Sequence, residues 1–161
     1  MTLAAWRKEF LPVSPQTAAR QGKDSVWAQT MLKLEGIKSR NLKRHGLVFD
    51  RENCLIEERL DGDEDYVDES IDVFDPGACA FCSLYSSMDC KGADEEPCPV
   101  FSCGGGCGDQ GSLLDRCLFP TRDFRPARAF MRRLWKQWFP RRVQPKTIAQ
   151  LTKMLRKGGK K

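Results

Sequence analysis

Histidine occurs once in the 161 residues, at position 45. Catalytic zinc sites usually draw on several histidines or on a carboxylate poised for proton transfer, so a hydrolytic metal centre fits this sequence poorly. Long apolar runs are missing as well. No stretch approaches the roughly 20 residues that a helix needs to cross a bilayer. The opening MTLAAWRKEFLPV has no basic segment followed by an apolar run of the kind that marks an export leader. The expected compartment is a reducing cytoplasm, where stable disulfides are rare. Internal repeats are absent, and no constellation of nucleophile, base and orienting group is visible, so a non-enzymatic protein is expected.

What the chain does have is segregated charge. Apolar residues make up 40% and charged residues 30%, enough for part of the chain to bury a core. The net charge of +5 conceals four unlike stretches. Residues 1–49 carry nine basic and three acidic side chains, and 50–75 carry two basic and twelve acidic. Residues 76–119 carry two basic and six acidic, and 120–161 carry fourteen basic and one acidic. Such asymmetry speaks about partners rather than fold. It also suggests four units: a helical N-terminal unit (1–49), an acidic linker or hairpin (50–75), a cysteine-rich module (76–119) and a basic amphipathic helical tail (120–161).

In the first unit, Thr2 caps a short helix with Leu3, Trp6 and Phe10 on one face, ended by Pro12. Ser14-Pro15 is a cap followed by an N1 proline. A further helix restarts at Asp24 or Ser25, turns Trp27, Met31 and Leu34 to one side, and ends at Gly36. Ser39 caps a last short helix that Gly46 stops. In the acidic unit, NCLIEERL and SIDVFD are candidate strands. The aspartates of DGDEDYVDE lack the glycine and the terminal glutamate of a calcium loop, so a solvated turn is the simpler expectation. In the tail, Ala127, Phe130, Met131, Leu134, Trp135, Trp138 and Phe139 form an unbroken helical stripe, with Arg128, Arg132, Arg133 and Lys136 opposite. Pro140 stops that helix. Pro145 opens another with Ile148, Leu151 and Leu155 on one side.

Seven of the eight cysteines fall within residues 79–117. Cys79-x2-Cys82 is the strongest element, because two thiolates at that spacing can face one ion from a tight knuckle. Cys98, followed by Pro99, is the first choice for a third ligand. Cys117, Cys103 and Cys107 compete for the fourth place, and Cys90 is a further alternate. A single structural zinc held by Cys79, Cys82, Cys98 and Cys117 is the leading expectation. A two-metal arrangement, an iron–sulfur cluster and disulfides are the alternatives. A thioredoxin-like role fits poorly, since no βαβ pattern surrounds the pair. Residues 76–119 hold few large apolar side chains and many glycines, so a staple is expected. Cys54 stands alone and reads as a small buried residue. His45 reads as a helix C-terminal residue near exposed carbonyls.

The stretches WRKEFLPV (6–13), MLKLEGIKSRNLKRHGL (31–47), CAFC (79–82) and CPV (98–100) occur in an order that resembles a loose group of small cysteine-rich proteins of tailed phages and prophages. The similarity covers roughly residues 3–107. It implies a phage or prophage origin, hence the cytoplasm of a bacterial host, and a structural metal. It implies no activity. The extra cysteines and the long basic C-terminus depart from the group.

Fourteen Lys and Arg in 42 residues, with aromatic residues between them, match the footprint of a phosphate-binding surface. The expectation is an α-rich, metal-stapled accessory protein with an irregular zinc-knuckle-like module that leaves room for a short β-hairpin. It binds nucleic acid, or a complex that handles it, through Arg128, Arg132, Arg133, Lys136, Arg141 and Arg142. The alternative is a module that binds and redirects a host protein, anchored by the tryptophan-rich tail. Pairing of the tail with the acidic 50–75 segment is a further alternative, no small-molecule substrate is evident, and a membrane surface ranks last.

Overall fold

Thr2 begins the first helix. In the computed structural model, which describes residues 2–50, 55–58, 70–72, 79–85 and 124–157, Thr2 is extended. Its hydroxyl accepts the Ala5 amide at 3.4 Å to open α1 (Leu3–Phe10). Leu3, Trp6 and Phe10 are all buried, as their spacing predicts. α1 has no acidic residue in its first turn. The Leu3 amide donates instead to Glu58 Oε1 at 2.7 Å, so a distant carboxylate meets the positive end of the helix.

Ser14 caps α2 (Pro15–Gln21) by accepting the Thr17 amide at 3.1 Å, with Pro15 in the first turn. Gly22, at φ 106°, ends α2 and directly precedes α3 (Lys23–Gly36). Few side chains tolerate that conformation, and it lets α3 start one residue ahead of the expected Asp24. Helix α4 (Ser39–His45) ends at Gly46 in the left-handed region, as expected. Its start differs: Lys38, not Ser39, is the cap, and no side chain serves it. The Lys38 carbonyl already accepts the Asn41 and Leu42 amides, which places Ser39 inside the first turn.

A small antiparallel sheet follows, in the order β1 (Leu47–Asp50), β2 (Leu55–Glu58), β3 (Ser70–Asp72). The last two lie in the candidate strands. β1 was not foreseen. Phe49 pairs with Ile56, and Ile56 with Ile71. Leu47, Ile56 and Ile71 are buried. The expected acidic turn over residues 61–69, with the aspartates compared to a calcium loop, and Cys54 lie outside the described residues.

The remaining helices are α5 (Ala80–Leu84), α6 (Arg125–Trp138) and α7 (Ile148–Lys157). The described structure is therefore mostly helical with one small sheet. α3 is its centre: α1, α2, α4, α5, α6 and α7 all contact it. Accordingly Ser25–Gln29 and Met31–Leu34 are buried without a break in either run, on every side of the helix rather than along one stripe. Where α1 crosses its end, the Trp6 indole donates to the Gly36 carbonyl at 3.1 Å. A Cβ on Gly36 would stand 2.6 Å from the Trp6 ring, so glycine is there for the close approach and not only as a stop.

Candidate nucleic-acid interface

α6 carries its apolar stripe inward. Met131, Leu134 and Trp135 are buried, and Ala127, Phe130, Trp138 and Phe139 are half-buried against the same core. Three contacts fix its direction. Arg142 lies on Asp24, the Trp27 indole donates to the Met131 carbonyl at 2.6 Å, and Arg128 donates to the Leu34 carbonyl at 3.0 Å. The pairing runs 24 to 142, 27 to 131 and 34 to 128, so α6 lies antiparallel to α3. The Trp27 and Trp135 rings meet at 4.5 Å, inclined by 52°. Each buried indole N–H has a partner, since Trp135 donates to the Arg142 carbonyl at 3.3 Å, as such groups require.

α7 closes the structure beside α3. Leu151 and Leu155 are buried and Ile148 is half-buried, on the face that the sequence predicts. Its start is a feature that the sequence reading missed. The Gln150 amide donates to Thr147 Oγ1 and the Thr147 amide to Gln150 Oε1, both at 3.2 Å. Thr-Ile-Ala-Gln is thus a capping box, legible in the sequence but passed over for Pro145.

The six expected phosphate contacts divide into two groups. Arg128 is half-buried and committed to the Leu34 carbonyl. Arg142 holds Asp24 Oδ2 at 3.3 Å through both terminal nitrogens, and its guanidinium lies over the Phe139 and Trp135 rings at 4.8 and 5.3 Å. Both therefore work within the fold. Arg132, Arg133, Lys136 and Arg141 are exposed, with no acidic partner among the described residues. Across 124–157 there are eleven basic residues and no acidic one. The intervening aromatics, taken from the sequence as part of a binding surface, point into the core instead. Trp135 is 1% exposed, so it is not available as an anchor for a host protein.

The cysteine pair sits at another edge of α3. Cys79 is the half-buried N-cap of α5, and Cys82 is three residues on, within its first turn. Ala80 and Phe81 are buried, with Phe81 5.7 Å from the Trp138 ring, so this short helix is pinned to the helical core. Cys90, Cys98, Cys103, Cys107 and Cys117 lie outside the described residues. The described residues contain no group of three metal-ligating side chains. Cys79 and Cys82 have the spacing of half a tetrahedral thiolate site, and the other half would come from those five.

His45 is buried at the end of α4, but carbonyls do not claim it. Its Nε2 donates to Glu9 Oε2 at 3.0 Å, since a carboxylate only accepts. Arg44 donates to Glu9 Oε1 at 2.6 Å. Burial alone would raise the Glu9 carboxyl, but the bonds and charges of Arg44 and His45 outweigh it and hold the group below the usual carboxylate range. A carboxylate–imidazole–guanidinium cluster joining α1 to α4 has a structural task.

No protein family, curated protein or solved structure matches the chain. The chemistry of the exposed face must speak for itself. Unpaired guanidinium and ammonium groups on a rigid helix attract anions, and a row of them suits a row of anions. No helix among the described residues is long and apolar enough to cross a membrane.

Proposed function

We propose that this chain is a non-enzymatic phage accessory protein that binds nucleic acid, or a complex that handles nucleic acid, through the solvent face of its C-terminal helices. One observation carries the proposal. The C-terminal segment buries its apolar side and leaves Arg132, Arg133, Lys136 and Arg141 exposed without an acidic partner among the described residues. Packing explains the tryptophans but leaves these four cations without a structural task among the described residues. The test is binding of a labelled DNA duplex, a single strand and an RNA at several salt concentrations. Charge reversal of Arg132, Arg133 and Lys136 together should weaken binding at least tenfold and flatten its salt dependence. Failure of the unaltered protein to bind any of the three in a salt-dependent way would sink the proposal.

The proposal includes a structural zinc that staples the cysteine-rich segment, held by Cys79, Cys82 and two cysteines from further along. Zinc bound there would contribute folding energy and no catalysis. Elemental analysis of the purified protein should find zinc. A visible absorption band would instead assign an iron–sulfur cluster, and thiols lost to disulfides without any metal would make disulfides the staple in place of zinc.

A further inference from the structure

We infer that the exposed face of α6 grips the phosphates of a nucleic-acid duplex and discriminates against single strands. The inference rests on the nucleic-acid function proposed above and narrows it. Proteins that hold single strands combine a basic groove with exposed rings, and each stacked base adds roughly 1–3 kcal/mol. This surface has the charge without the rings. Among the described residues every aromatic side chain is buried or half-buried, and the only exposed large apolar groups are Val48 and Val143. Two of the half-buried rings near the face are also covered by cations. Arg142 lies over Phe139, and Lys23 lies over Trp138 at 5.3 Å. A base splayed from a single strand finds no platform here.

A duplex asks for nothing but cations. It presents one negative charge about every 1.7 Å of axis, against about 3.4 Å for one of its strands alone. Arg132 and Lys136 stand one helical turn apart on the same face, Arg133 flanks them, and Arg141 follows just past the helix end. Arg128 and Arg142 are occupied within the fold, so the α6 face and the residue just past its end offer about four phosphate contacts. At about 0.9 counterions released per phosphate, the logarithm of affinity should fall with the logarithm of salt at a slope of roughly −3 to −4.

The full-length protein should be titrated against a 20-base-pair DNA duplex, the same-length single strand of oligo-dT, and vesicles of anionic phospholipid. The duplex should bind at least tenfold more tightly than the single strand, with the slope given above. Arg132→Gln, Arg133→Gln and Lys136→Gln, each at an exposed site that leaves the fold intact, should each lower the slope by about 1. Equal or tighter salt-dependent binding of oligo-dT overturns the duplex inference while leaving a nucleic-acid function standing. Tighter binding to vesicles than to duplex overturns it in favour of a lipid phosphate surface. Absence of salt-dependent binding to either DNA defeats the inference, and the proposed function falls with it only if the RNA probe also fails to bind.

Discussion

At the scale of single residues, Gly36 and Glu9 set testable limits. A methyl group at Gly36 meets the Trp6 ring at 2.6 Å and Phe10 Cγ and Cβ at 2.7 and 2.9 Å, all three on side chains that are themselves fully buried. The rings cannot retreat without moving α1. Gly36→Ala should therefore cost about 1–3 kcal/mol despite its gain in helix propensity. A denaturant midpoint equal to the wild type would show that the crossing has slack. Glu9 acts through charge. Its carboxyl is held below the ordinary value in the folded state, so its contribution is present above the unfolded carboxylate pKa, about 4.3. It fades as pH falls through the lower folded value. Glu9→Gln should destabilise the protein by about 1 kcal/mol near neutrality. The difference should shrink and vanish as the pH falls through that folded value. A gap that stays constant from pH 7 to pH 3 would mean that the carboxylate's charge is not what matters there.

At the scale of elements, the sequence was informative wherever a few neighbouring residues decide the outcome. Thr2, Ser14 and Gly46 act within one turn of themselves, and each stands where its chemistry predicts. The stripe on α6 was visible for the same reason, because 3.6-residue periodicity needs only its own helix. The stripe does not say what it docks against, however. Interleaved rings and arginines read equally well as a binding surface, and only the facing Trp27 on α3 decides that the rings turn inward. β1 was hidden by its length. Four residues are too few to display alternation, and their partners on β2 lie five to eleven residues further along the chain. The Glu9–His45 pair was hidden too, since the two residues are 36 apart and on different helices. The capping box of α7 should have been legible, and it provides a test at this scale. Thr147→Ala removes the acceptor for the Gln150 amide and should cost about 1 kcal/mol. An unchanged melting temperature would mean that α7 is fixed by Leu151 and Leu155 alone.

At the scale of the molecule, the basic C-terminal helices are part of the core. α6 and α7 bury Met131, Leu134, Trp135, Leu151 and Leu155, each almost completely. At about 2 kcal/mol per side chain, that burial is on the order of 10 kcal/mol before the cost of ordering the two helices is subtracted. A domain of this size is typically stable by about 5–15 kcal/mol in all. Without them, α3 would expose Trp27, whose indole N–H would also lose the Met131 carbonyl. A chain ending at residue 123 should therefore lose its cooperative unfolding transition, bind the dye ANS, and show tryptophan emission shifted to the red. Retention of a sharp transition near the wild-type midpoint would instead make residues 1–123 a free-standing unit and the C-terminal helices an accessory docked upon it. The same dependence bears on the binding surface. The α3–α6 packing that excludes water from Trp27 and Trp135 also turns Arg132, Arg133 and Lys136 outward. Trp27→Ala should thus weaken duplex binding and lower stability together, whereas Lys136→Gln should weaken binding with the melting temperature unchanged. If Trp27→Ala binds duplex as the wild type does, the cations act without the scaffold, as a charged segment and not as a fixed face.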